Sequence, residues 1–267
     1  MKRKVCFVVG ARPNFMKAEP VYRALAELDP SIELLLVHTG QHYDGEMSAV
    51  FIDELELPQP DVFLGVGSGT HGEQTAKALV GVEQVLVEHS PSLVVVAGDV
   101  NSTLASALAA SKLRIPVAHI EAGLRSFDDA MPEETNRRLT DQLSQILLAH
   151  SEGATANLVR EGIERAWIHL VGNTMIDSVF RHLPAALSRE PWLKLGVEPD
   201  GFALVTLHRP ALVDDLQLLE RTVEALVELA RRVPVVFPVH PRTSARLATL
   251  GLDAERLREA GLRLASR

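Results

Sequence analysis

The sequence predicts an α/β fold built on a doubly wound parallel sheet, and three observations carry that prediction. Short apolar runs rich in β-branched residues recur along the chain, helical apolar spacing fills the stretches between them, and no repeat or low-complexity segment interrupts the alternation. Strand and helix in alternation imply right-handed crossovers and a parallel sheet covered on both faces. The pattern restarts near residue 202, so the chain reads as one complete α/β domain over residues 1–170 and part of a second over residues 171–267.

The first run, residues 5–9, is β-branched and aromatic and ends at Gly10, and residues 18–28 then have the spacing of an amphipathic helix. Residues 34–38, 93–97, 115–120 and 146–149 read as further short buried strands, with helices over 73–88 and 101–112. The first domain closes near residues 168–172. A polar, proline-containing passage covers residues 181–201, after which 202–207 is a strand, 214–232 a long helix, 235–239 a strand, and 245 onward a helix reaching the last residue. That is too little to close a sheet of ordinary domain size.

Composition narrows the function classes. With 267 residues, 46% hydrophobic and 23% charged, the chain can bury a full core. Cys6 is the single cysteine, which excludes a disulfide framework within one chain and points to a reducing compartment, the cytoplasm. Lys2, Arg3 and Lys4 before an apolar run imitate a secretory leader. Arg12 and Pro13 cut that run short, so the reading is a first buried strand. No apolar stretch reaches the roughly 20 residues of a membrane span. A net charge of -8 argues against a nucleic-acid surface, so any bound anion must be held by locally placed cations and helix N-termini.

The richest chemistry follows the strand at 115–120. H-I-E-A-G-L-R-S from His119 and P-E-E-T-N-R from Pro132 bring carboxylates and guanidiniums to the place where an open α/β sheet binds ligands. Glu121 would stand at the carboxyl edge of the sheet. Glu133 and Arg137, spaced i and i+4 on the helix that Pro132 starts, form either a surface ion pair or a proton-transfer and anion-positioning pair. Gly10 to Lys17 joins the first strand to its helix with Arg12 and Lys17 beside backbone amides, which is either an anion site or a charged surface turn. G-x-G-x-x-G is absent, so no dinucleotide is inferred. Asp99 ends another strand, as a helix cap or as a cleft carboxylate, and Asn101 or Ser102 is the better cap. His208 and His240 follow later strands, with Arg209 and Arg242 nearby, and each is either a turn residue bonded to backbone or part of an anion-facing surface.

Taken together, G-A-R-P-N-F-M-K at Gly10, T-G-Q-H-Y-D at Thr39, G-E-Q-T-A at Gly72, G-D-V-N-S-T at Gly98, the two charged motifs, G-N-T-M-I-D at Gly172, T-L-H-R-P at Thr206 and V-H-P-R-T at Val239 resemble the non-hydrolysing UDP-N-acetylglucosamine 2-epimerases. The resemblance implies two Rossmann-like domains of the GT-B type, the second incomplete here. It also implies C2 epimerisation through proton removal, anti elimination of UDP and re-addition to a 2-acetamidoglucal, with no cofactor and no metal. Carried over by position, Asp99, Glu121 and Glu133 match acid/base carboxylates, with His208 beside them. Arg12, Lys17, Arg137, Arg209, His240 and Arg242 match substrate and diphosphate contacts, and Gln41 and His42 match an allosteric region. The partners implied are UDP-N-acetylglucosamine, or a related UDP-sugar, and a second copy in a homodimer, with no nucleic acid and no membrane.

Two departures stand against the pattern. Ala211 and Leu212 replace polar residues, and Arg267 precedes the family's T-D-S-G-G and a downstream glutamate loop. Three readings follow: an active epimerase, a silent truncated domain, or another GT-B enzyme such as a hydrolysing epimerase.

Overall fold

The computed structural model describes residues 3–10, 12–40 and 59–265. It separates into two compact units, Met1–His182 and Leu183–Arg267. In the first, seven strands lie in the order β3-β2-β1-β4-β5-β6-β7, with β1 at Lys4–Val9, β2 at Glu33–His38, β3 at Val62–Phe63, β4 at Leu93–Ala97, β5 at Val117–Ala122, β6 at Ile146–Ala149 and β7 at Ile168–Leu170. Every pairing is parallel. The chain winds to one side from β1 and to the other from β4, so a crevice opens at the carboxyl ends of these two central strands.

The period of two along each strand feeds two cores. Cys6, Val8, Val37, Val94 and Val96 face Val82, Val85 and Leu86 of helix α2 (His71–His89) and the alanines of α3 (Asn101–Lys112). Val5, Phe7, Val9, Val95 and Ile120 face Phe15 and Ala18 of α1 (Arg12–Leu28). Helices α4 (Pro132–Leu143), α5 (Glu152–Arg160) and α6 (Thr174–Ser188) complete the series. Helix α1 begins six residues before the expected start at 18, because Pro13 is tolerated in a first turn and Phe15 is already buried.

Two buried groups of this core titrate far from their usual range. The Cys6 thiol is fully buried and pushed up to about 12, by burial first and then by the charge of Asp61, with Lys4 opposing. His38 is 2% exposed, its ring 4.9 Å from that of Phe15 and 5.1 Å from that of Phe63. Its Nδ1 accepts from the Gly40 amide at 2.8 Å, and burial pushes it down to about 4.

The second unit has a three-stranded parallel sheet in the order β10-β9-β8, formed by Ala203–Leu204 (β8), Val235–Pro238 (β9) and Leu262–Ala265 (β10). Leu219, Val223, Val235, Phe237, Leu247, Leu257 and Leu262 make its core. Several expected bounds change here. The passage 181–201 contains the end of α6 and the short α7 (Pro191–Leu195). Pro184 lies well inside α6, where it removes only the bond to the Phe180 carbonyl, and Phe180 is exposed to water that can replace it.

The expected strand 202–207 pairs with β9 over only two residues. The expected helix 214–232 is α9 (Leu216–Ala230), which starts after Asp215 because that residue caps it by accepting from the Leu218 amide at 3.0 Å, and the short α8 (Pro210–Val213) precedes it unexpected. The expected terminal helix is α10 (Pro241–Thr249), α11 (Ala254–Glu259) and then β10. It is broken where Gly251 and Gly261 take φ of 69° and 95°, and Asp253 starts α11 as its cap.

Candidate functional site

The first unit gathers charged side chains at the crevice between β1 and β4. Gly10 leaves β1 so close to α3 that an added Cβ would lie 2.5 Å from Ser102 Oγ, and that hydroxyl is 2.7 Å from Thr39 Oγ1 at the end of β2. Gly98 leaves β4 with φ 66°, and an added Cβ there would lie 3.0 Å from Lys17 Nζ. The absence of side chains at these turns lets α1 and α3 approach the strand ends, with the Lys17 ammonium against Gly98.

From that position Lys17 Nζ forms an ion pair with Glu121 Oε2. Glu121 interrupts β5 with φ 70°, where the register to β6 shifts between Ile120 and Ala122. A left-handed glutamate costs about 1 kcal/mol or more and needs surrounding structure to hold it. The bulge re-aims its carboxylate out of the strand's alternation.

On the neighbouring strand end, Asp99 Oδ2 accepts from Arg137 Nη2 at 2.5 Å. Arg137 also lies 3.3 Å from Glu134, and its buried Nε has no hydrogen-bond partner among the described residues. Asn136 Nδ2 donates to the Asp99 carbonyl at 2.9 Å and to Asn101 Oδ1 at 3.1 Å. Thus α4 contributes both an arginine for the Asp99 side chain and an amide for its backbone.

Beneath these pairs lies a buried network. His119 Nδ1 is 2.7 Å from Asp141 Oδ1 and its Nε2 is 2.8 Å from the Gly98 carbonyl, so each ring nitrogen faces an oxygen. The other Asp141 oxygen accepts from the Gly123 amide at 3.1 Å and lies 2.8 Å from Arg125, which also bonds Glu161. The network ties the turns after β4 and β5 together. Glu134 accepts from the Ser126 amide and hydroxyl at 2.9 and 2.8 Å. Burial opposes its charge, but these bonds and Arg137 hold its carboxyl below the usual range.

Two expectations are corrected. Glu133 and Arg137 do not pair: the buried guanidinium turns to Asp99 and Glu134, and Glu133, half-exposed on α4, has no ion pair among the described residues. Neither Asn101 nor Ser102 caps α3, whose cap position is Val100 with no side-chain bond. Asn101 Nδ2 donates to Gln74 Oε1 at 2.9 Å and Ser102 bonds Thr39, so both amide and hydroxyl brace the strand ends.

Arg12 is the first residue of α1. Gln41 and His42 lie outside the described residues.

His208, Arg209, His240 and Arg242 belong to the second unit. His208 and Arg209 are exposed in the segment after β8. The Leu207 carbonyl accepts from Thr243 Oγ1 at 2.5 Å, which draws that segment to the start of α10. His240 caps α10, its Nδ1 accepting from the Arg242 amide at 3.2 Å. Arg242 grips Asp214 at 3.2 and 2.5 Å, and this hydrogen bonding holds the Asp214 carboxyl below its usual range.

The sequence reading missed the roles of Asn14, Glu134, Asn136 and Asp141. Asn14 Nδ2 donates to the Ala97 carbonyl at 2.6 Å. No sequence signal marked the α4 residues, because polar side chains at helical spacing read as a solvated face: Glu134, Asn136, Arg137, Thr140 and Asp141 make one polar face of α4 that the fold buries. A polar face of that kind must spend its hydrogen bonds inside the protein.

Among the described residues no helix is long and apolar enough to cross a membrane. A family model described as UDP-N-acetylglucosamine 2-epimerase matches residues 24–264. The UDP-N-acetylglucosamine 2-epimerase of Methanocaldococcus jannaschii is 45% identical over 254 residues, covering 93% of this chain and 69% of its own length. The UDP-2,3-diacetamido-2,3-dideoxy-D-glucuronate 2-epimerase of Pseudomonas aeruginosa is 47% identical over 256 residues, covering 94% and 71%. The crystal structure of the M. jannaschii enzyme in complex with UDP-GlcNAc and UDP superposes with a TM-score of 0.85 at 42% identity, over 98% of this chain and 73% of that one. With two Rossmann-like units of the GT-B type and a charged crevice at the β1/β4 switch point, this chain belongs to the UDP-N-acetylglucosamine 2-epimerase family of isomerases.

Proposed function

We propose that the chain catalyses the reversible epimerisation of UDP-N-acetylglucosamine at C2, giving UDP-N-acetylmannosamine. A carboxylate of the crevice takes the C2 proton, the C1–O bond breaks, and UDP leaves anti with the bonding electron pair to give 2-acetamidoglucal. A proton is then returned to C2 from the other face and UDP adds back to C1. One observation carries this reading: Glu121 and Asp99, on adjoining strand ends, each face a cation of their own, Lys17 and Arg137.

The C2 hydrogen is barely acidic, and its removal requires a positioned base. Glu121, Asp99 and Glu133 are the acid/base candidates, with His208 in the second unit. The departing diphosphate needs its growing charge stabilised by preorganised donors. Arg12, Lys17, Arg137, Arg209, His240 and Arg242 are assigned to that work. A homodimer and a cytoplasmic location belong to the same proposal. The similarity to the P. aeruginosa enzyme favours a second substrate reading, a UDP-2,3-diacetamido uronic acid processed by the same chemistry.

The experiment is incubation of the protein with each UDP-sugar in deuterated water, followed at C2 by proton NMR. Deuterium at C2 of intact UDP-sugar is expected, with loss of about 100-fold or more in Glu121→Gln. Free N-acetylmannosamine would mean hydrolysis instead. Binding without exchange would mean a silent domain.

A further inference from the structure

Helix α1 carries a proline at its centre, and helix α6 supplies the hydroxyls that meet its consequences. Pro20 has no N–H, so the Met16 carbonyl, four residues earlier, loses its helical donor, and the proline ring crowds it outward. Ser178 Oγ donates to that carbonyl at 2.8 Å; its own-helix alternative, the Thr174 carbonyl, is farther at 3.5 Å. One residue on, the Lys17 carbonyl accepts from Thr174 Oγ1 at 2.9 Å. Thr174 and Ser178, spaced i and i+4, therefore bond two successive carbonyls at the proline break. Ser178 is 1% exposed. Arg181, one turn further along the same face, lies 3.8 Å from the buried Glu19 carboxylate of α1.

The backbone so held is that of Lys17, whose ammonium reaches Gly98 and pairs with Glu121. A helix broken by proline is loosest where its bonds are missing, and here the missing bond, at the Met16 carbonyl, adjoins the residue that pairs with the crevice carboxylate. We infer that Thr174 and Ser178 are positioning residues: their hydroxyls fix the proline-broken turn of α1 and thereby set the Lys17 ammonium against Glu121. The inference rests on the proposed epimerase reading for its consequence in catalysis, but its geometric content does not.

Thr174→Val removes the donor and keeps the branched shape, and Thr174→Ser restores it. Brief treatment of each protein with a limiting amine-acylating reagent, with peptide mass spectrometry, reads how tightly Lys17 is held, with the exposed Lys77 and Lys112 as internal references. Lys17 of Thr174→Val is expected to react about threefold or more faster than in the parent while the references are unchanged, and Thr174→Ser to return to the parent rate. In the epimerase assay kcat is expected to fall about three- to tenfold with KM little changed, the size of one lost hydrogen bond.

Ser178→Ala tests the second hydroxyl in the same way and serves if Thr174→Val does not fold. Unchanged Lys17 labelling in a folded variant, or uniform acceleration at every lysine, would overturn the inference. If the parent protein shows no C2 exchange, the epimerase reading fails while the labelling result still decides this one.

Discussion

Lys17 and Arg137 set a cation against each crevice carboxylate, and the sequence named both pairs' members without pairing them. Glu121 and Asp99 stood out because each closes a strand; what each touches is fixed by backbone that no spacing reveals, a left-handed residue within β5 and a glycine at the end of β4. Glu133 was paired with Arg137 on i,i+4 spacing, whereas in the folded protein the buried Glu134 meets that guanidinium at i,i+3. His38 yields a prediction at this scale. Its folded value of about 4 lies below an unfolded value of about 6.5, so between these the unfolded chain binds more protons and stability rises with pH. The contribution is complete above about pH 6.5 and is lost as pH falls toward 4, roughly 3 kcal/mol over the whole span. Urea unfolding of the parent and of His38→Gln at pH 7 and pH 5 checks it. The variant should lose about 2 kcal/mol less between the two pH values, and identical losses would refute the assignment.

Elements were legible where they are buried and continuous. The strands Leu93–Ala97 and Ile146–Ala149 and the helix Asn101–Lys112 agree with the sequence reading at both ends, because the strands' apolar residues and most of the helix's alanines meet the sheet core. Bounds in the second unit were not, because capping residues and left-handed glycines, rather than apolar periodicity, start and stop its short helices. The turn from β4 into α3 joins element geometry to chemistry. Gly98→Ala places a methyl at a left-handed position and against the Lys17 ammonium. Stability should fall by about 1–2 kcal/mol from the backbone alone. If the crevice needs Lys17 where it is, kcat should fall by more than the few-fold that partial unfolding would give. Denaturation curves and initial rates on the same preparation separate the two effects.

At the scale of the whole molecule, the two units have cores that share no residue: the clusters around Val8, Phe7 and Leu147 lie within the first unit and the cluster around Phe237 within the second. A protein ending after Ser188, where α6 stops, should therefore fold by itself and unfold in one cooperative transition followed by circular dichroism. A non-cooperative melt would show that the first unit depends on the second. The doubly wound order of the first sheet followed from alternation alone, while the charge of -8 gave no hint that cations concentrate at one crevice.

The central strand β1 has a further, practical consequence. Cys6, the chain's single cysteine, is sealed beneath two helices with its thiol held far from the thiolate. Maleimide dyes should leave the folded protein untouched. A cysteine introduced on the exposed face of any helix can then carry a fluorophore or spin label to that one position, with the native thiol left in place.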